Sequence, residues 1–411
     1  MRSNGLSGFI TKRILQSGSI RSGSTGPVIR IASAGIVLSV MAVVVSILVV
    51  TGFRDEITKK VTGFVADFRI SAYNNNESFE EMPIRLNRDG LNAIRTLSGI
   101  EHLHPFILKA GIIKTEHDLQ GVVLKGIDGQ FKRDFFSSKL TAGEFPVYQD
   151  SSDIQKVVIS ESLSKKLKLK TGDSFLVFFI QNDKKVRKVE VKGIYKTGLG
   201  EEFDDLYLLC DLRLLRKING WEQDMVSGYE VFAKPGADPE VLFPELYNRT
   251  GFNYNTQSAR QLYPQMFNWL DLQNLNVIVI IALITLVAGA TIVSTMLVIL
   301  LEKTREIGIL KSMGASDHLI TLVYSRISFR ILLKGVIIGN ALALALGWVQ
   351  LKYGVLKLPE DSYYISQVPI AFNLPGILLV NAIILISGIA MLLIPAKVIS
   401  GIDPVKVIRF D

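Results

Sequence analysis

A single cysteine, Cys210, stands in a chain of 411 residues. That excludes an intrachain disulfide or a site built from several thiolates, and a lone thiol reads as a small buried apolar side chain. Histidine is nearly as scarce, with four copies. His102 and His104 alternate along an extended stretch, but no third ligand stands near them, so they read as ordinary strand residues and not as a metal site. His117 and His318 belong to no constellation. No HExxH, CxxC, GxSxG or Walker sequence occurs, which argues against a metalloprotease, a thiol redox enzyme, a serine hydrolase or an ATPase that drives itself. The run "NNNESFEE" (Asn74 to Glu81) lacks the Asp-x-Asp-x-Asp-Gly spacing of a calcium loop and reads as a solvated loop. "SGSIRSGSTG" (Ser17 to Gly26) has no Gly-Lys-Ser/Thr after it and reads as a flexible lead. Acids are missing from the long apolar runs, so no proton or ion relay is indicated there.

What is present is segregated. A mean hydropathy of +0.32 beside 20% charged residues requires apolar and polar stretches to alternate along the chain. The formal charge of +8 is spread through the polar half and around the apolar runs, which fits membrane orientation and not a nucleic-acid face. Four uncharged runs qualify as spans. Ile31 to Val50 matches the ~20 residues that cross a ~30 Å hydrocarbon core. Leu272 to Leu301 is about ten residues longer than that, so its ends should project as a stalk. Gly335 to Leu351 is short and flanked by lysines that can snorkel, and the fourth run lies between Pro375 and Pro395. The first run is too long for a cleavable signal and is expected to remain. Arg2, Lys12, Arg13, Arg21 and Arg30, with no acid among them, put the amino terminus on the cytoplasmic side; four crossings return the carboxyl terminus, with Lys397, Lys406 and Arg409, to it.

Helix-packing residues are legible in the first span: Ala32, Gly35, Ser39, Ala42 and Ser46 recur at steps of three and four and draw one small-residue seam. Gly335 and Gly339 form a GxxxG pair, and Asn340 and Asn381 read as uncharged glue between helices.

The polar segment after the first span is large enough for its own core. Phe64, Ala66, Phe68, Ile70 and Ala72 alternate as in a strand; "RDGLNAIRTLSG" reads as a helix closed by Gly99; "IEHLHPFILKAGIIK" is extended. Later "SGYEVFAKPG" and "FNYNTQS" read as strands flanking a helix that starts near Asp238 and ends at Gly251. These are two separated β-α-β units of one split subdomain, with a β-rich insert between them. The expected fold class is an α+β membrane protein: four transmembrane helices with a large periplasmic α+β domain between helices 1 and 2. The expected boundaries are a cytoplasmic segment 1–30, helix 1 at 31–53, and a periplasmic domain at 54–267, with the split subdomain at 54–120 and 222–267 and the insert at 121–221. Helix 2 follows at 272–301, a cytoplasmic loop at 302–329, helix 3 at 330–351, a periplasmic loop at 352–373, helix 4 at 374–396 and a cytoplasmic tail at 397–411.

"LLEKTREIGILKSMGAS" (Leu300 to Ser316) follows the longest uncharged run. Glu302, Lys303, Arg305 and Glu306 mark its exit into water, and Ile307, Leu310 and Met313, at i, i+3 and i+6, keep one apolar face. Gly314 suits a left-handed helix end, and Ser316 can cap a new helix with Asp317 in its first turn. The result is a short cytoplasmic elbow, either tucked against lipid headgroups or gripped by another protein.

"EKTREIGILKSMGAS" resembles the stretch after the second transmembrane helix in the FtsX-like permease superfamily, which includes lipoprotein-releasing, macrolide-efflux and cell-division permeases. "VVVSILVVTGFRDEITKKVTGF" is similar to the first span and stalk of the lipoprotein-releasing type, "ISESLSKKLKLKTGDSF" to its outer domain, and "SYYISQVPIAF" to its last outer loop. "IPAKVISGIDPVKVIRFD" resembles the closing segment of the superfamily. The resemblance implies a multi-pass permease of a bacterial inner membrane that is itself no enzyme. It implies a partner ABC-type ATPase in two copies that carries ATP and Mg, no cofactor on this chain, and a second permease chain, identical or paralogous. Glu302, Lys303, Arg305, Glu306, Ile307, Leu310, Met313 and Gly314 would then meet the ATPase. Acylated lipoproteins would enter beside Val45, Val49, Val50, Phe53, Met266 and Phe267. A periplasmic lipoprotein carrier belongs to that pattern, but the long hook some lipoprotein-releasing permeases use to receive it is replaced here by the short hairpin "FFIQNDKKVRKVEV". Efflux of drugs or peptides, and activation of a cell-wall hydrolase, are the other outputs the superfamily implies.

Overall fold

A computed structural model describes residues 25–73, 79–115, 118–148, 153–179 and 185–392. The Gly/Ser lead up to residue 24, most of "NNNESFEE", His117, the hairpin tip and the closing segment from residue 393 lie outside the described residues. The chain divides into two compact units: a helical one (up to Asp55, Leu270–Lys357 and from Gln367) and an outer one (Glu56–Trp269 and Leu358–Ser366).

Among the described residues four helices are long and apolar enough to cross a membrane. They are α1 (Thr25–Val65), α2 (Pro264–Glu302), α4 (Asp317–Tyr353) and α6 (Leu374–Met391); the short helices α3 (Thr304–Ser312) and α5 (Glu360–Tyr363) lie on either side of α4 in the chain. In the helical unit Ile36, Val40, Val43, Val44 and Leu48 of α1 recur at helical spacing and share one core with Ile292 and Met296 of α2, Leu332 and Val336 of α4, and Ile377 and Ile384 of α6. The GxxxG pair of α4 meets α1 there. A Cβ on Gly339 would lie 2.8 Å from the Cβ of Val40 and 2.9 Å from the Val37 carbonyl oxygen, and one on Gly335 would lie 2.5 Å from Ile36. Gly339→Ala should therefore cost about 1–3 kcal/mol through overpacking, read as earlier unfolding of the purified chain in an SDS titration; an unchanged midpoint would show that α1 yields freely. Asn340 and Asn381 exchange amide hydrogen bonds of 2.7 and 3.0 Å between α4 and α6.

Three helix boundaries differ from the sequence expectation; one is the start of α2, at Pro264 and not at residue 272. Helix α1 does not stop near residue 53, because Ile57, Val61 and Phe64 continue its buried stripe into the outer unit. It breaks only at Ala66, whose φ is +64°, so the expected strand from Phe64 shrinks to Phe68–Ser71. Helix α4 starts at Asp317 and not near residue 330. Its buried stripe, from Ile320 through Ile327 and Leu332 to Gly339 and Gln350, is unbroken, whereas the charges that interrupt the hydropathy, such as Arg330 and Lys334, lie on its exposed side. The Ser316 side chain caps α4 by accepting from Leu319 N, and Gly314 holds φ +90°, as their residue types require.

Among its described residues the outer unit has ten strands: β1 (Phe68–Ser71), β2 (Ile100–Lys114), β3 (Leu119–Ile127), β4 (Leu140–Gly143), β5 (Lys156–Ser160), β6 (Ser174–Phe179), β7 (Lys185–Tyr195), β8 (Tyr207–Asp211), β9 (Gly228–Ala233) and β10 (Asn255–Ser258). Their order is β10-β1-β9-β2-β3-β8-β5-β7-β4, with β6 on β2 and β7. Strand β2 joins the two halves: up to Phe106 it pairs with β9, and from Ile107 onward with β3. The chain thus leaves the split half midway along β2, so the insert begins near residue 107 and not at 121, and it returns at β9. The helix Pro239–Thr250 is capped by Asp238 and ends at Gly251, and its Leu246 joins one core with Ile94, Phe68, Ile159 and Leu215.

Candidate coupling elbow and the root of the outer unit

Helix α3 makes the elbow by turning the chain between two long helices. Thr304 Oγ1 donates to the carbonyl oxygens of Leu300 and Leu301, tying the turn to the end of α2. Lys303 bonds Glu306 at 2.6 Å, and Lys311 pairs with Asp317 at 2.8 Å, tying the end of α3 to the start of α4. Both joints are thereby fixed within one short segment.

The expected apolar face does not point one way. Ile307 is 0% exposed and packs in the helical core, and Lys303 is buried with it; Leu310 is half-buried. Ile309 and Met313 are 48% and 78% exposed, and Arg305, Glu302, Glu306 and Gly314 are exposed too. The reason is geometric. On a 3.6-residue helix each step of three slips back by about 60°, so Ile307 and Met313 lie about 120° apart. Steps of four advance by only about 40°, so Arg305, Ile309 and Met313 share the outward stripe. Lys303 and Ile307 are accordingly removed from the surface a partner could touch.

Of the seam residues on α1, Ala32 is buried and Gly35, Ser39, Ala42 and Ser46 are half-buried, and a Cβ on Gly35 would lie 3.6 Å from the Thr291 methyl of α2. Ser46 Oγ donates to its own helix at Ala42 O. Ala32 lines a groove of about 440 Å³ with Leu286, Thr291, Ser294 and Thr295 of α2. Of the cargo candidates, Val45, Val49, Val50 and Phe53 are half-buried on α1 within the helical unit. Met266 and Phe267 belong to the outer unit and are buried in it, with the Arg260 guanidinium over the Phe267 ring.

A second constellation escaped the sequence reading. Glu230, on β9 and 0% exposed, receives Lys125 at 2.7 Å and His104 at 3.0 Å. Lys125 also donates to Phe64 O at 2.6 Å, the carbonyl of the penultimate residue of α1, where a cation complements the helix dipole. Arg69 lies 3.5 Å from Glu81 and stacks over Phe106. Burial alone would raise the Glu230 carboxyl, but Lys125, His104 and Arg69 together outweigh it and hold its pKa at about 2. Burial pushes the Lys125 ammonium down, with the carboxylate opposing it. The root of α1 is thus anchored by a buried ion pair. No periodicity marks it, because His104 and Glu230 are 126 residues apart.

Residues 31–246 match the family model of the MacB-like periplasmic core domain, and residues 278–404 that of the FtsX-like permease C-terminal domain. The chain belongs to the MacB-like, FtsX-like permeases. This permease is 20% identical to the lipoprotein-releasing system transmembrane protein LolC of Xylella fastidiosa over 92% of either chain. It is 23% identical to LolE of Haemophilus influenzae over 97% of this chain and 98% of that one. The crystal structure of the periplasmic region of MacB from Actinobacillus actinomycetemcomitans aligns with 51% of the permease and 96% of its own length, at a TM-score of 0.36 and 17% identity. The permease is a multi-pass inner-membrane protein whose outer unit is periplasmic.

Proposed function

We propose that the permease couples ATP hydrolysis by a separate ABC-type ATPase, which carries the ATP and Mg, to the release of acylated lipoproteins from the outer leaflet of the inner membrane. Both termini and the α3 elbow face the cytoplasm in this reading, two ATPase copies serve two permease chains, and the second chain is either identical or a paralogue. The observation that carries it is the elbow: α3 is tied to the ends of both α2 and α4 and exposes one stripe, Arg305, Ile309 and Met313. A motor gripping that stripe moves two long helices at once. Similarity to LolC and LolE over more than nine-tenths of the chain supports lipoproteins as the cargo.

The task needs a motor. Each buried CH₂ of an acyl chain is worth ~0.8 kcal/mol, so two or three chains anchor a lipoprotein almost irreversibly. Val45, Val49, Val50 and Phe53 are the residues proposed to meet the acyl chains. Met266 and Phe267, covered in the resting outer unit, would join them only after a rearrangement.

Depleting the permease and fractionating the membranes tests the assignment. Mature lipoproteins should accumulate at least tenfold in the inner membrane. Normal sorting with drug sensitivity would replace this reading by efflux, and filamentous cells with normal sorting by activation of a cell-wall hydrolase.

A further inference from the structure

The segment Leu358–Ser366 belongs to the outer unit, although the chain on both sides of it belongs to the helical unit. Specific contacts hold it there. Glu360, the first residue of α5, places Oε2 2.7 Å from Lys196 Nζ. Lys60, buried on α1, donates to Tyr364 O at 2.6 Å. The Tyr364 ring stands edge-on to Trp269 of α2, with centroids 6.5 Å apart. One short turn therefore touches the roots of both stalk helices and the loop that follows β7.

The receiving loop is shaped in advance. Asp204 accepts hydrogen bonds from Thr197 Oγ1 at 2.6 Å and from Gly198 N at 2.9 Å. Gly198 has φ +71°, and a Cβ there would collide with the Glu360 carboxylate, so the close approach of Glu360 requires a residue without a side chain. Tyr364 itself sits at φ +59°, a left-handed conformation that a bulky side chain adopts only under constraint from its neighbours.

Ile365 is buried, whereas the Glu360–Lys196 pair is partly exposed and Tyr363 and Ser366 are exposed, so much of the segment lies at the surface of the unit that holds it. Its chain connection matters as much. Helix α4 runs unbroken for 37 residues from the elbow at Asp317 to Tyr353, five residues before the segment, which makes it a second rod of ~55 Å.

We propose that Leu358–Ser366 is a strap: clamped across the roots of α1 and α2 at rest, and pulled off by α4 once in each transport cycle. Lys60, Lys196 and Glu360 are its positioning residues. The proposal rests on the coupling role of the elbow and is independent of which cargo is moved.

The test is a reversible lock in the full permease, expressed in place of the native gene. Lys196→Cys and Glu360→Cys are combined with Cys210→Ala and joined in membranes by a short, reductant-cleavable bis-thiosulfonate. The pair should cross-link within one chain at rest, and ATP turnover should slow that reaction at least fivefold. The locked permease should lose at least tenfold of its ability to complement the deletion strain, in whatever phenotype that strain shows, and recover it when reductant clears the link. The unlinked double variant sets the reference activity against which the lock is scored, and each single variant treated with the same reagent should match its own untreated activity. A locked permease that complements at the unlocked rate overturns the strap, as does a pair that never cross-links at rest. Activity that stays lost after the link is cleared overturns it too. If lipoprotein sorting proves not to be the deletion phenotype while the lock still abolishes complementation, the cargo assignment fails and the strap stands.

Discussion

Glu230→Ala should destabilise the outer unit by about 3–5 kcal/mol, the loss expected when one partner of a buried ion pair is removed and the other charge remains. Lys125 would keep Phe64 O at 2.6 Å and lose the carboxylate at 2.7 Å, and His104 would lose the same carboxylate at 3.0 Å. For a unit of this size the loss corresponds to a melting temperature lower by about 10 °C, measurable by differential scanning fluorimetry of the detergent-purified permease. Replacing both partners together, Lys125→Met with Glu230→Leu, should recover much of the loss, because an apolar pair carries no desolvated charge. The pH dependence follows from the depressed carboxyl. Its folded pKa of about 2 lies below the ordinary 4.5, so the stabilisation is complete above the ordinary value and drains away as pH falls from there toward 2. Glu230→Gln should lack that component of acid sensitivity. A single variant melting within about 2 °C of the parent would mean that the pair does not anchor the root of α1.

That anchor also marks where the sequence stops being legible. Periodic features could be read directly: uncharged runs give the four long helices, and Asp238, Gly251, Gly314 and Ser316 carry end signals in their side chains or lack of one. Boundaries crossed by charges were misplaced, because a charge lowers mean hydropathy without ending a helix when it lies on the exposed side, as Arg330 and Lys334 do. Contacts between distant residues left no trace. Nothing local to His104, Lys125 or Glu230 distinguishes them from ordinary alternating strand residues, and nothing in "SYYISQVPIAF" shows that the turn just before it rests on Lys196. The face of the elbow lies between these cases. Its residues were identified, but their direction required the angular slip of a three-residue step to be counted over two turns.

The same count sets the sharpest prediction for coupling. Ile309→Asp combined with Met313→Asp should weaken association with the ATPase by about 30-fold, equivalent to about 2 kcal/mol for replacing central apolar contacts of an interface by charge. ATP hydrolysis by the complex should then proceed without cargo release, while membrane insertion and the melting of the outer unit stay unchanged, since both side chains are exposed on the helical unit. Ile307→Asp provides the contrast. Its side chain is fully buried among the helices, so an aspartate there should destabilise the helical unit itself by several kcal/mol, about the cost of an unpaired polar group in an apolar site, and reduce the amount of permease recovered from membranes. Leu310→Asp, at a half-buried position, should show part of each effect. Pull-down of the ATPase with the solubilised permease, release of cargo from membranes and the yield of intact permease separate the three. Should Ile307→Asp abolish ATPase binding while leaving yield and melting intact, and the Ile309/Met313 pair bind normally, the partner would be gripping the other side of α3, and the elbow would have to rotate in the chain before it engages.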